Sequence, residues 1–409
     1  MTILLLYPAF FLIMLWVTLG KHKNVTYRII LYFFLIGAIS ACYIRFLPSM
    51  EFYNMPLSVV AMVYHCAMLF LLIYPFKGFK RLESRTFQGA NTVIMYSLIA
   101  VIVPISLYYI YLNITTLDLR LILLDVYSMR QDLIDAGEES GTVNTYLRAF
   151  VNGFHGLALS IAFYLIIKKP EQKLLIIILL LCSMAQVIHS LNFAAREYIA
   201  KYFFVFVMLC LLFRKEINQK WKRSLKKIMF ISLIIGLSFF VIVTIIRFTE
   251  SERYSNPTDS IFAYFGQGFV NFSNRFIDFP EGATGGQLHF PIFAGTEKMS
   301  SYNLNQSIQS DYYLNMFSTT VGSWVLDIGI MFTTIAVLVH FLLFRLVGKL
   351  KLNIFTLYYV IYAYEFVFSC LFFYNETIGK LRLEILSFII LLDIINRYTF
   401  KRIIPSKKV

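Results

Sequence analysis

Eleven stretches of this chain stay apolar for about the length a helix needs to cross a bilayer, and that repetition constrains the fold more than any other feature. They cover roughly 2–20, 27–47, 56–76, 91–112, 148–167, 173–191, 194–213, 228–247, 318–344, 353–373 and 382–400. Hydrocarbon offers the backbone no hydrogen-bond partner, so runs of this kind form helices that satisfy themselves. The expected fold is an all-α polytopic integral membrane protein with about 11 transmembrane helices. The first run has no basic n-region and no small-residue cleavage site, and is expected to stay as the first span. Cys42, Cys66, Cys182, Cys210 and Cys370 all fall inside runs, with no CxxC or Cys/His spacing, and read as apolar filler. Without an internal repeat, a low-complexity tract or a separable soluble segment, residues 1–409 read as a single membrane domain.

A net charge of +14 would fit a nucleic-acid partner if the basic residues clustered on one surface. They do not. They gather in alternate connections: Lys21 to Arg28, Lys77 to Arg85, Lys168 to Lys173, Arg214 to Lys227, Arg345 to Lys351, and the tail from Arg397 to Lys408. Those regions hold 25 of the 37 Lys and Arg, which places them in the cytoplasm, with the N-terminus outside and the C-terminus inside. The basic balance is topology, and no nucleic-acid partner is expected. Of the twelve basic residues left on the outer side, nine are Arg. Arginine presents a rigid fork of donors that matches phosphate oxygens, which a merely solvating charge does not need.

Two outer connections are long, 113–147 and 248–317, and both are too rich in aromatic and apolar residues to read as disordered. In the first, Asp118, Asp125, Asp132 and Glu139 recur at seven-residue intervals opposite Leu119, Ile122, Val126, Met129 and Leu133. That pattern predicts an amphipathic surface helix, with Arg130 near its membrane end. In the second, Asn256-Pro257 opens a helix in which Ile261, Phe262, Phe265, Phe269 and Phe272 recur at helical spacing until "PEGATGG" ends it. It reads as an interfacial helix. Arg247, Arg253, Tyr254 and Arg275 surround it.

Several polar groups fall at membrane depth. The stretch "SLNFAAREYIAKYFFVFVMLCLLFRKE" sets Arg196, Glu197 and Lys201 in the outer third of a span. Glu197 and Lys201 are four apart in the favourable order and can pair, which leaves Arg196 needing an anion. Asn152, His155, Asp327 and Glu365 lie at comparable depth, while Arg382 and Glu384 open the last run. Their shared depth points to a polar cavity open to the outer side. His65 and His340 stand alone among apolar residues and read as satisfied core side chains.

Several chemistries lack their motifs. No HExxH, Walker A, DxD or GxSxG sequence occurs, and no histidines pair as haem ligands on facing spans. No metal or cofactor is expected. Guanidinium groups can supply the electrostatic stabilisation that a metal gives a pyrophosphate elsewhere.

In "AAREYI" (Arg196), in "IIRF" leading into a long outer loop (Arg247), in "YFGQGF" and in "TTVGSWVLDIGI" (Asp327, Gly329), the chain resembles the Wzy-type O-antigen or oligosaccharide repeat-unit polymerases of bacterial inner membranes. The resemblance covers most of the chain at the level of topology. It implies a GT-C-like glycosyltransferase architecture with a periplasmic N-terminus, a cytoplasmic C-terminus and a periplasmic active site. The implied reaction transfers a glycan from undecaprenyl pyrophosphate to a sugar hydroxyl of another lipid-linked repeat unit, without metal, yielding O-antigen, capsule or exopolysaccharide. Arg196 and Arg247 would hold the pyrophosphate, assisted by Arg253 or Arg275. Glu252 or His289, then Glu197, would accept the acceptor proton. Arg130, Tyr254 and Asp327 complete the implied substrate-binding set, with Asp327 orienting a helix or an arginine. The partners implied are the lipid-linked donor and acceptor, the bilayer, a chain-length regulator and a flippase. Family members often carry two similar Arg-rich outer loops; here the first offers only Arg120 and Arg130 in an acidic setting. A related O-antigen ligase, a lipid-linked oligosaccharide flippase and a membrane acyltransferase acting on glycans are the alternatives; the last would want a His in an acidic motif near the cytoplasmic entry of an early span, and His22 has no acid beside it. A flippase would be expected to show repeated halves and charges through the full depth of its cavity.

Overall fold

A computed structural model describes residues 2–21, 24–46, 57–79, 91–117, 142–192, 197–231, 257–275, 284–290, 319–371 and 380–403, with the single residues 82, 87, 234, 238 and 282. Every regular element among them is helical. In chain order these are α1 (Leu6–Lys21), α2 (Val25–Ile44), α3 (Val59–Ile73), α4 (Thr92–Thr115), α5 (Thr142–Lys168), α6 (Lys173–Ser183), α7 (Ala185–Leu191), α8 (Glu197–Leu212), α9 (Pro257–Arg275), α10 (Thr319–Val347), α11 (Ile354–Leu371) and α12 (Lys380–Ile403). Short 3₁₀ turns precede α1 and follow α3. Side-chain caps set several starts: Asn24 accepts from Tyr27 N, Ser58 from Ala61 N, Asn91 from Val93 N and Asn353 from Thr356 N.

Six of the described helices are long and apolar enough to cross a membrane, or seven if the bent pair α6 and α7 forms one span. The chain is a multi-pass membrane protein. The sequence count of eleven is higher for identifiable reasons. The first run holds only a shorter apolar helix, Ile3–Thr18, the run from 194 holds the 16-residue α8, and charged residues dilute α12. Most of the run 228–247 lies outside the described residues.

Exposure supports a lipid solvent. Beyond a break at Gly329, α10 exposes Met331, Phe332, Ile335, Leu338, Val339, Leu342, Leu343 and Leu346, a stripe at helical spacing. α12 does the same with Phe388, Leu391, Ile394, Ile395 and Tyr398. A soluble protein seldom exposes apolar surface on this scale, whereas lipid tails solvate it.

Where the sequence showed no linker, the chain divides into two compact units interleaved along its length. The first is Met1–Arg81, Ser251–Lys349 and Glu365–Lys380; the second is Leu82–Glu250, Leu350–Tyr364 and Leu381–Val409. In the first, α9 packs deeply on α2. A Cβ on Gly266 would stand 2.4 Å from Ala41 N and 2.5 Å from Ser40 C, so only glycine permits this approach. Phe269 and Phe272 are fully buried, Phe269 edge-on to Tyr7 at 4.8 Å and Phe272 against His65 at 4.5 Å. The interfacial reading of α9 therefore fails for Phe269 and Phe272, which are core, while Phe262 and Phe265 are partly buried and Ile261 is exposed. His65 is satisfied as expected, within a one-way chain. Ser273 Oγ donates to Phe269 O, accepts from Tyr7 OH at 2.8 Å, and Tyr7 accepts from His65 Nδ1 at 2.9 Å. Nε2 then accepts from the Thr319 hydroxyl at 2.9 Å. That bond helps hold Thr319, a β-branched residue, at φ 64.

In the second unit, Gly153 and Gly156 let α5 approach its neighbours. Added Cβ atoms would meet Ile385 Cδ1 at 2.7 Å and Tyr358 at 3.3 Å. Tyr358 OH donates to Gly153 O, and Ser160 Oγ donates to Ile354 O. Near the far end of α12, Asp393 accepts two bonds from Arg397, at 2.8 and 3.0 Å, and one from Asn353 at 2.8 Å. Arg397 also donates to Thr356 Oγ1 at 2.9 Å. The pair is therefore completed by neutral partners, as a buried charge requires. All five cysteines are free thiols, with Cys66, Cys182 and Cys370 buried.

Gly266→Ala is expected to cost about 1–3 kcal/mol, the usual penalty of overpacking. Gly78→Ala, whose added Cβ meets nothing within 4 Å, serves as the neutral control. Thermal melting in detergent should show a lowered midpoint for the first variant only.

Candidate functional site

The polar groups of the second unit converge where α4 ends. Asn113 Nδ2 donates to Tyr109 O at 2.8 Å, which fixes the amide and turns Oδ1 toward α7. That oxygen accepts from His189 Nδ1 at 2.7 Å and from Asn192 Nδ2 at 3.1 Å. A neutral His189 therefore carries its proton on Nδ1 and its lone pair on Nε2. Asn192 also donates to Asn113 O at 3.2 Å, and the Tyr109 ring lies 5.5 Å from that of His189. Arg148, exposed on α5, acts electrostatically on both Tyr109 and His189.

A bend builds this node. α7 turns by 42° from α6 across Met184, whose φ of −89° and ψ of 0° leave the helical region. Ser183 prepares the break, its hydroxyl donating back to Leu180 O at 2.6 Å and meeting Tyr202 OH at 2.8 Å. The bend carries His189 and Asn192 to Asn113. Irregular backbone at membrane depth is tolerated where protein or a wet cavity surrounds it, and here it accompanies a cluster of polar side chains. α8 then brings Glu197, which pairs with Lys201 at 3.6 Å as its spacing predicts, while Lys201 Nζ lies 4.9 Å from the Tyr198 ring centroid.

The first unit contains a second interrupted helix. At Gly329, φ 78° and ψ 170° break α10, and the turn around Gly282–Phe290 docks on the half-helix before the break. Asp327 is fully buried, and its carboxylate accepts from Thr284 Oγ1, from Leu288 N at 3.1 Å and from His289 N at 2.9 Å. Gly286 N donates to Asp327 O at 2.9 Å and Gly282 N to Val325 O at 3.2 Å. Gly282, Gly285 and Gly286 all have positive φ, so "GATGG" shapes the turn that reaches the break. His289 is buried beside Phe290, which packs on Trp324 at 5.6 Å.

Of the residues picked from sequence, the structure brings His289 and Asp327 together and places Glu197 in the other unit against Lys201. Arg275 is the last residue of α9. Arg130, Arg196, Arg247, Glu252, Arg253 and Tyr254, with the helix expected over 118–139, lie outside the described residues. The sequence reading missed Asn113, His189 and Asn192. His189 and Asn192 share a helical face at i and i+3, a faint signal, but nothing in the sequence ties them to Asn113. Among the described residues no three His, Cys, Asp or Glu side chains converge as metal ligands. Comparison with protein-family models, with curated proteins and with solved structures finds no match.

Asp327→Ala would strand a hydroxyl and two amides in the core, and is expected to cost about 3 kcal/mol or more. Asp327→Asn keeps an acceptor oxygen and should cost less. Limited proteolysis should cut Asp327→Ala near 284–290 first, with wild type and Asp327→Asn protected.

Proposed function

We propose that this chain is a membrane glycosyltransferase. More particularly, it is a polymerase that joins undecaprenyl-pyrophosphate-linked repeat units at the periplasmic face of a bacterial inner membrane. The observation that carries the reading is the polar node of Asn113, His189 and Asn192. It lies at the helix ends that the distribution of Lys and Arg assigns to the outer side, and Arg196 follows Asn192 by four residues. The predominance of Arg among outer cations supports a pyrophosphate ligand.

In this reading Arg196 and Arg247 grip the pyrophosphate, with Arg253 and Arg275 assisting. The acceptor hydroxyl attacks the anomeric carbon of the donor, whose bond to the pyrophosphate oxygen breaks. The electron pair leaves with undecaprenyl pyrophosphate, and the hydroxyl proton passes to Glu252 or His289. Asp327 acts at one remove, because its oxygens are taken up in holding the turn that bears His289. Glu197 steadies Lys201. The two interrupted helices also fit a flippase, in which broken helices line the substrate path.

Cells whose only copy carries Arg196→Ala or Arg247→Ala, at normal expression, separate these readings on a glycan gel. Long chains should fall by about 100-fold or more while single-unit products persist outside. Lysine at either position should also impair, since the planar fork is lost. Unchanged long chains would remove the two arginines from the mechanism. Loss of single units from the outer side would favour the flippase.

A further inference from the structure

At the end of the second unit that the distribution of Lys and Arg assigns to the cytoplasm, a basic helix leads into an apolar run. The helical stretch 219–231 is capped by Asn218, whose Oδ1 accepts from Trp221 N at 2.9 Å. Trp221 and Leu225, one turn apart, are buried. Lys222, Arg223, Lys226 and Lys227 fill the other side of the helix, Lys222 half-buried and the other three exposed. The residues that follow turn apolar and stay exposed at Ile228, Phe230, Ile231 and Ile234. The four cations therefore occupy about 8 Å of helix just outside the hydrocarbon, which is the depth of lipid headgroups.

This helix does not stand alone. Trp221 Nε1 donates to Pro170 O at 3.1 Å and ties it to the turn between α5 and α6. That turn has the same layering. Lys168 and Lys173 are exposed, Lys169 lies over the Tyr96 ring at 5.4 Å, and the exposed Leu174 and Ile177 follow into α6. Together, 168–173 and 214–227 hold ten Lys and Arg against only Glu171 and Glu216. Among the described residues, no carboxylate pairs with Lys168, Lys173, Lys222, Arg223, Lys226 or Lys227. The tie fixes where these charges stand, so an anion meets a prepared site and not a loose tail. A soluble anion or an acidic protein segment would use the charge and leave the apolar half of each element unmatched. A phospholipid carries its phosphate and its hydrocarbon in the same order as these elements carry cation and apolar side chain.

We propose that the two tied elements bind anionic phospholipid of the cytoplasmic leaflet. Lys222, Arg223, Lys226 and Lys227, with Lys168 and Lys173, hold the phosphates, and the acyl chains run along the apolar residues that follow. The inference needs the membrane topology and does not rest on the transferase reading.

The test is native mass spectrometry of the purified full chain in detergent, titrated separately with phosphatidylglycerol and with the zwitterionic phosphatidylethanolamine. Phosphatidylglycerol should bind at least tenfold more tightly. Arg223→Gln/Lys227→Gln, at exposed positions that leave the core untouched, should weaken that binding at least tenfold, and Lys168→Gln/Lys173→Gln at least threefold. Arg345→Gln/Lys351→Gln removes the same charge from another cytoplasmic connection, also at exposed positions, and should stay within threefold of wild type. Equal binding of the two lipids, or wild-type affinity in either site variant, would overturn the proposal. Equal loss in the Arg345/Lys351 control would reduce the effect to net charge and overturn it as well. Tighter binding of a polyglutamate peptide than of phosphatidylglycerol would give the surface to an acidic protein segment instead.

Discussion

A polar group placed in hydrocarbon has no water to fall back on, so each one needs an internal partner or costs several kcal/mol. In the first unit, this requirement links α1, α3, α9 and α10 through Tyr7, His65, Ser273 and Thr319. In the second, Asp393 and Arg397 are completed by Asn353 and Thr356 across the ends of α11 and α12. Helix faces that are all apolar would pack equally well in many registers. Each of these polar groups instead finds its partners in one arrangement, so they select the packing while dispersion supplies much of its strength.

The same requirement explains where helices break. Among the described residues each unit has one interrupted helix, and each interruption sits beside a polar cluster. Before the break at Gly329, the carbonyls of Val325 and Asp327 accept from Gly282 N and Gly286 N, while the Asp327 carboxylate accepts from the turn's own amides at Leu288 and His289. The bend at Met184 delivers His189 and Asn192 to Asn113. Straight helices would run these side chains past their partners. Interrupted helices at membrane depth are a common means of building a polar site inside a bilayer, and the node on α4 and α7 has that form.

Much of this fold was legible in the sequence because a bilayer demands long apolar runs, and those runs name most of the helices. The partnered His65, the free cysteines and the Glu197–Lys201 pair were legible for the same local reasons. The role of α9 was not. Phenylalanines at helical spacing look alike whether they face lipid or core, and only the approach of Gly266 to Ser40 and Ala41 decides between them. Asp327 was visible as an odd charge at depth, but its partner Thr284 lies 43 residues away in a glycine-rich turn that reads as a breaker. The Asn113 node escaped because amides at the ends of apolar runs look like ordinary helix termini. Their meeting depends on a bend whose only local mark is a serine.

The central claim is that this arrangement transfers a glycan between lipid-linked units with arginine in place of a metal. The most direct measurement uses purified protein in liposomes with undecaprenyl-pyrophosphate-linked single repeat units and excess EDTA, resolving the glycans by length. A ladder of products that lengthens with time, with release of undecaprenyl pyrophosphate, is the predicted result. Single units that stay single while crossing the bilayer, or elongation only after a divalent metal is restored, would contradict it.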